Sequence, residues 1–282
     1  MIRTLTAICA ALLAAPALAQ DGPASAPLPG PEDIAGRDMV TVALGAGMVP
    51  DYEGSDDYRL IPAVGIRGSY KGIGFSTRGL YLYVDVVPDS GSGVGFDAGP
   101  IVGVRLNRSQ KIKDDFVDAL PERKKAFEAG GFVGVSSRGL TNPYDVLSFR
   151  VDVIHDFSSA HKSTIFSPNI DFSTPLSRTT FISVGVGAEF VSNRFADYYF
   201  SITPPDALVS LLPVYNADGG MKNWKAGLLV NQSLSGDLLH GLSLFGTVQY
   251  SRLVGDFADS PIVDNRGSAN QWLLAAGLGY TW

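Results

Sequence analysis

The chain has 282 residues, with 22 Lys and Arg against 28 Asp and Glu, a net charge of −6 and 45% hydrophobic residues. Low charge (18%) combined with 10% aromatics disfavours intrinsic disorder, and the acidic balance argues against a nucleic-acid partner. Glycine, at 32 residues, exceeds the usual ~7%, and the length suits one or two domains or one medium-sized barrel.

The chain opens as an export leader. Arg3 is the positive end, Leu5 to Ala15 the apolar stretch, and Ala17-Leu18-Ala19 the small-x-small cleavage pattern, so residues 1–19 are expected to be removed. The apolar stretch is too short to span a bilayer as a helix. Cleavage would remove Cys9, the only cysteine, so the exported chain would need no disulfide. Residues 20–38 are rich in Pro, Ala, Gly and Asp and read as a disordered lead-in, leaving 39–282 as the folded part.

From there the pattern has period two. Phe96, Ala98, Pro100, Val102, Val104 and Leu106 alternate with a mostly small or polar set, and Ile182, Val184, Val186, Ala188 and Phe190 alternate with Ser183, Gly185, Gly187 and Glu189. In the last segment Trp272, Leu274, Ala276, Leu278, Tyr280 and Trp282 share one face. A soluble sandwich would bury that face, whereas a membrane barrel would turn it to lipid. The barrel is favoured by segments of about ten residues, by opposite faces of Gly and Ser, and by aromatics near segment ends, such as Tyr70, Tyr81, Tyr83 and Tyr250. The expectation is an all-β antiparallel transmembrane barrel. Leu278, Tyr280 and terminal Trp282 resemble the C-terminal signal read by the bacterial outer-membrane assembly machinery.

The segments fall near 39–48, 58–70, 72–86, 94–106, 130–138, 144–156, 162–173, 179–191, 223–235, 240–253 and 270–282. A single-chain bacterial barrel needs an even number. A turn at Ser192-Asn193-Arg194 would make Phe195–Ile202 a twelfth strand, and ten strands result if a weak segment does not span. This count puts 107–129 on the same side as the chain termini, the periplasm. That connection reads as partly helical from Pro121 onward, with Phe116, Leu120 and Phe127 on one face and Arg123, Lys124 and Lys125 as its basic stretch. It is either a periplasmic docking element built on those six residues or a plug packed on the barrel mouth.

Catalytic groupings are poor. His155, His161 and His240 are the only histidines, and His155-Asp156 with Ser158 and Ser159 lacks triad geometry because neighbouring strand side chains point apart. No Cys/His cluster suggests zinc, and no cofactor motif is present. Asp51, Glu53, Asp56 and Asp57 offer carboxylates to calcium, but not at EF-hand spacing, and a solvated turn is the plainer reading, as it is for Asp256, Asp259 and Asp264. The chain is therefore expected not to be an enzyme.

Pro50-Asp51-Tyr52-Glu53-Gly54-Ser55-Asp56-Asp57-Tyr58, directly after the first strand, resembles the opening signature of the MipA/OmpV outer-membrane family. Gly187-Ala188-Glu189-Phe190-Val191-Ser192-Asn193-Arg194-Phe195 and Tyr250-Ser251-Arg252-Leu253-Val254-Gly255-Asp256 extend the resemblance, which is loose over 107–180. The resemblance implies an outer-membrane barrel acting as a non-catalytic scaffold in peptidoglycan synthesis, with a murein lytic transglycosylase and a bifunctional murein synthase as partners. The alternative is a pore or small-solute channel lined by Arg105, Glu189, Lys225 and Asn231.

Overall fold

The computed structural model describes residues 37–89 and 93–282. The expected leader and most of the lead-in lie outside the described residues. Twelve strands close into one barrel: β1 Met39–Pro50, β2 Tyr58–Tyr70, β3 Ile73–Arg78, β4 Tyr81–Asp85, β5 Val94–Arg105, β6 Ala126–Arg138, β7 Val146–Asp156, β8 Thr164–Pro175, β9 Thr180–Val191, β10 Gly220–Ser233, β11 Gly241–Leu253 and β12 Asn270–Thr281. Each strand pairs antiparallel with its sequence neighbours, and β1 pairs with β12 from Thr41↔Thr281 to Met48↔Leu274. Among the described residues five short helices sit in the connections: α1 Asp115–Asp118, α2 Asn193–Tyr199, α3 Pro204–Ser210, α4 Asp256–Asp259 and α5 Pro261–Asp264.

The alternation sets the faces. Val184, Val186 and Phe190 point outward and are exposed, while Gly185 lies against the Asp171 carboxylate and Gly187 against the Asn169 amide inside the lumen. Leu44, Leu60, Val102, Val133, Phe166, Leu244 and Leu278 continue the outward apolar band. Two aromatic clusters mark its ends. Trp224, Tyr250 and Trp272 stack in series, with centroids 5.3 and 4.9 Å apart, at one mouth, and Tyr280 and Trp282 stack at 4.7 Å at the other.

The strand count is twelve, but not by the expected division. Residues 72–86 are a hairpin, β3 and β4, turning at Gly79-Leu80 with Gly79 at φ +58°, and Phe195–Ile202 is not a strand because its first half is α2. Adding a strand before β5 and removing one after β9 reverses the side of every connection between them. The mouth that carries both termini therefore has residues 71–72, 86–93, 139–145, 176–179 and 234–240, all short. The opposite mouth carries 51–57, 79–80, 106–125, 157–163, 192–219 and 254–269. The 107–129 segment thus lies at the loop mouth, opposite the termini, and not beside them. Its helix also differs: Asp114 caps α1 by accepting from the Phe116 and Val117 amides, and the stretch after Pro121 is irregular before β6 begins at Ala126.

A barrel that turns its apolar side chains to lipid has no conventional core between its strands. Most of the buried apolar cluster comes instead from the loop mouth: Tyr52, Ile112, Val117, Leu120, Phe195, Tyr199, Phe200, Leu212, Phe257, Ile262 and Val263. The loops bury one another and form a cap over that mouth.

Candidate functional site

The 50–58 signature is the keystone of the cap. The Asp51 amide donates to the Asp57 carbonyl at 2.9 Å, closing a tight loop, and the Asp51 carboxylate pairs with Arg59 and accepts from the Lys113 amide at 2.7 Å. Tyr52 is buried, and its hydroxyl donates to the carbonyls of Ile262 at 2.8 Å and Arg266 at 3.2 Å. Burial pushes the Tyr52 phenol well above its ordinary range, so it remains a donor at neutral pH. Gly54 has φ +104°, where an L side chain is strained, and an added Cβ would meet Val263 Cγ2 at 2.4 Å. Its amide donates to Gln271 Oε1 at 3.1 Å, and Gln271 Nε2 donates to the Ser55 carbonyl at 3.0 Å. The Asp51 and Glu53 carboxylates are thus tied to different partners within the cap and lumen, whereas Asp56 and Asp57 are exposed.

Glu53 turns down into the lumen. Its Oε1 lies 3.0 Å from both Arg105 Nη1 and Lys222 Nζ. From Arg105 the network runs to Glu128 at 3.0 Å, which the His161 ring meets at 2.8 Å; from Lys222 it runs to Glu189 at 2.5 Å, and Lys225 lies 3.8 Å from the same carboxylate group. Tyr81 donates to Glu128 at 2.5 Å. Phe195 roofs this belt, with Arg105 and Lys222 5.3 and 5.1 Å from its ring centroid. The belt joins β5, β6, β9 and β10 through a loop residue and crosses the lumen directly beneath the cap. Chemically it is a salt-bridged network in which each of Arg105, Lys222 and Lys225 has a carboxylate and Lys222 is fully buried.

Sequence reading placed Arg105, Glu189 and Lys225 in the lumen, and they lie there. It missed Glu53, Glu128, His161 and Lys222. Lys222 and Lys225 both reach Glu189 because a register shift between Met221 and Asn223 breaks the alternation of β10. Glu128 lies on the inward face of β6, whereas the sequence-derived strand began two residues later, at 130.

The six residues expected to form one docking face are not brought together. Leu120 is buried in the cap, Phe116 lies under the Arg266 guanidinium at 4.2 Å, and Arg123 stacks on Tyr198 at 5.0 Å. The Lys124 amide donates to the Tyr198 hydroxyl at 2.8 Å, the Lys125 carbonyl accepts from Ser158, and Phe127 is on β6, pointing outward and 61% exposed.

His161 is not placed as a general base. Its Nδ1 accepts from the Ser163 amide at 3.2 Å, so Nε2 carries the proton that Glu128 receives, and the ring is buried against Phe195 and Tyr199. His155 contacts the Thr164 hydroxyl at 2.9 Å and packs edge-on to Phe157. Among the described residues no group of three or more His, Cys, Asp or Glu is arranged to hold a metal.

A closed antiparallel barrel with an apolar outer band, short turns at the mouth of its termini and long loops at the other is an outer-membrane β-barrel. A solved porin has the same fold. The NanC porin superposes with a TM-score of 0.50 at 8% identity, covering 85% of this chain and 98% of the porin. An outer membrane channel from Pseudomonas putida aligns with a TM-score of 0.46 at 10% identity, covering 93% of this chain and all of the channel. Residues 42–282 match the family described as "MltA-interacting protein MipA", and the chain belongs to that family. Two curated proteins named MltA-interacting protein, from Escherichia coli and Shigella flexneri, are each 27% identical over 99 residues, which is 35% of this chain and about 37% of their length. The mouth with the termini therefore faces the periplasm, and the capped mouth faces outward.

Proposed function

We propose that this barrel is a non-catalytic outer-membrane scaffold in peptidoglycan synthesis. It holds a murein lytic transglycosylase, together with a bifunctional murein synthase, at the periplasmic rim. The observation that carries the reading is the closed outer mouth: a cap of mutually buried loops over a salt-bridged belt suits a platform better than a conduit. Family membership supplies the partner class. The docking surface then belongs to the short turns beside the termini, where Leu140, Leu176 and Leu234 are each exposed.

The competing pore reading draws on the wetter half of the lumen below the belt, where Arg67 is exposed above the Phe181 ring. One experiment separates the two. The folded protein is used to recover partners from envelope extracts and is also inserted into planar bilayers. The scaffold reading expects recovery of a lytic transglycosylase, loss of it in Leu140→Asp/Leu176→Asp/Leu234→Asp, and little conductance. Robust conductance with no murein enzyme recovered by the intact protein overturns it in favour of the pore.

A further inference from the structure

A second feature lies on the outer face and plays no part in the scaffold reading. A surface cavity of about 470 Å³ opens between the 106–125, 157–163 and 192–219 loops, within the ~300–1,000 Å³ range of small-molecule sites. Arg123, Lys162 and Arg194 line it, with Tyr198, Ser201, Asp197 and Asp206.

Arg59, Arg105, Arg150 and Arg266 each have a carboxylate within 4.0 Å, but among the described residues Arg123, Lys162 and Arg194 have none. Arg123 Nε is buried and makes no hydrogen bond, although the flat guanidinium is held in place over the Tyr198 ring. Directly behind it is Arg108, only 2% exposed, whose carbonyl accepts from the Arg123 amide at 2.8 Å. Arg108 Nη1 donates to the Tyr199 carbonyl at 3.1 Å, while Nη2 has no partner. Burial, and then the neighbouring Arg123 charge, pull the Arg108 guanidinium down to about 10, still protonated at neutral pH. Buried guanidinium N–H groups without acceptors are costly, and native folds retain few of them.

The loop that carries Lys162 is densely hydrogen-bonded. Asp156 accepts from the amides of Ser158 at 2.8 Å, His161 at 2.8 Å and Lys162 at 2.9 Å. Within this short loop Ser159 and Lys162 adopt left-handed φ of +62° and +50°, a strained conformation that the Asp156 clamp maintains. Of the two acids, Asp206 is engaged by the Thr203 amide and hydroxyl and its charge also acts on Arg123, whereas among the described residues Asp197 receives only the Ser201 hydroxyl at 3.4 Å. Three cations lining one cavity, with a fourth buried behind Arg123, favour a dianion, and a planar guanidinium matches phosphate oxygens in pairs. The exposed Asp197 carboxylate beside them suits the hydroxyls of a sugar, and the half-buried Tyr198 ring, already held by Arg123, belongs to the same wall.

We propose that this outer cavity binds a phosphate-bearing sugar, with Arg123, Lys162 and Arg194 holding the phosphate and Asp197 accepting from sugar hydroxyls. The same chemistry is carried by a soluble sugar phosphate and by the phosphorylated saccharide of outer-leaflet lipopolysaccharide. The test is calorimetry on the folded, full-length barrel in detergent, freed of lipopolysaccharide, with glucose 1-phosphate, inorganic phosphate and glucose as probes. Glucose 1-phosphate is expected to bind more tightly than either simpler probe, and more weakly as salt rises. Lys162→Gln and Arg194→Gln are each expected to weaken it about tenfold or more, the size of one lost charge-assisted hydrogen bond. Asp197→Asn is expected to weaken glucose 1-phosphate but not inorganic phosphate. Heat-modifiable migration on gels verifies that each variant is folded, and Arg123→Lys, which keeps charge but loses the fork, serves where Arg123→Gln does not fold. Competition by lipopolysaccharide micelles would assign the site to the lipid headgroup, and its absence to a soluble ligand. No binding of glucose 1-phosphate at millimolar concentration, or binding unchanged in Lys162→Gln and Arg194→Gln, overturns the proposal. Equal affinity for inorganic phosphate and glucose 1-phosphate overturns its sugar half.

Discussion

Gly54→Ala tests whether the signature loop exists to close the cap. The new Cβ is expected to act in two ways. At φ +104° an L residue costs about 1–2 kcal/mol. The Cβ also meets Val263 Cγ2 at 2.4 Å and Leu253 Cδ1 at 3.5 Å in a fully packed place, adding about 1–3 kcal/mol of overpacking. Together the two terms destabilise the cap by about 2–5 kcal/mol. Because the apolar cluster lies mainly in loops and the barrel is held by strand ladders, the loss is expected to be local. The assay is limited proteolysis of the loops in folded protein across a urea series, with heat-modifiable migration reporting the barrel separately. Val263→Ala removes the clashing methyl but not the backbone strain, so Gly54→Ala should cost about 1–3 kcal/mol less in that background. If the cap and belt close the outer mouth, conductance in planar bilayers should rise in Gly54→Ala. A neutral Gly54→Ala, or an equal cost in both backgrounds, refutes the packing argument. Loss of heat-modifiability refutes the separation of cap and barrel.

Three further outcomes are expected. Val184→Arg, on the lipid face, should destabilise the barrel by about 2–4 kcal/mol if that position is near the bilayer midplane, whereas Gly185→Ala is tolerated because only the movable end of Asp171 lies in its way; equal losses in urea titration would mean that the faces are misassigned. Removing Tyr280 to Trp282 deletes the Trp282 amide bond to the Val40 carbonyl, 3.0 Å, and with it the closing end of the β1–β12 seam; the truncated chain should be degraded in the periplasm, and normal insertion would contradict this. Burial raises the Asp114 carboxyl, but Arg266 and the amides of Val117 and Phe116 outweigh that and hold it below the usual carboxylate range. The Asp114–Arg266 ion pair, 2.5 Å, is then complete above the unfolded value of about 3.9 and is lost as pH falls through the lower folded value, so the 106–125 loop should become protease-sensitive in acid, and Asp114→Asn should make it sensitive at every pH.

The alternation of large and small side chains records, position by position, which side of the wall meets lipid. That record is local, so it was legible without coordinates: the barrel, the outward Val184 and Phe96, the inward Arg105, Glu189 and Lys225, and the position of the 50–58 signature all follow from it. Parity is not local. Gly79-Leu80 turns a segment that reads as one strand, and the seven residues of α2 bury Phe195, Ala196 and Tyr199, an i, i+4 spacing too brief to outweigh the strand pattern around it. Those two departures leave the strand number at twelve yet carry the 106–125 loop from the periplasmic mouth to the outer one. The cap and belt were equally hidden. Tyr52 meets Ile262 across 210 positions and Glu53 meets Lys222 across 169, and the β10 register shift lets Lys222 join Lys225 at Glu189. Sequence alone decided what faces lipid, because that depends on each strand separately. Only the tertiary structure decided which mouth is closed and with which residues, because that depends on loops far apart in the chain excluding water from one another.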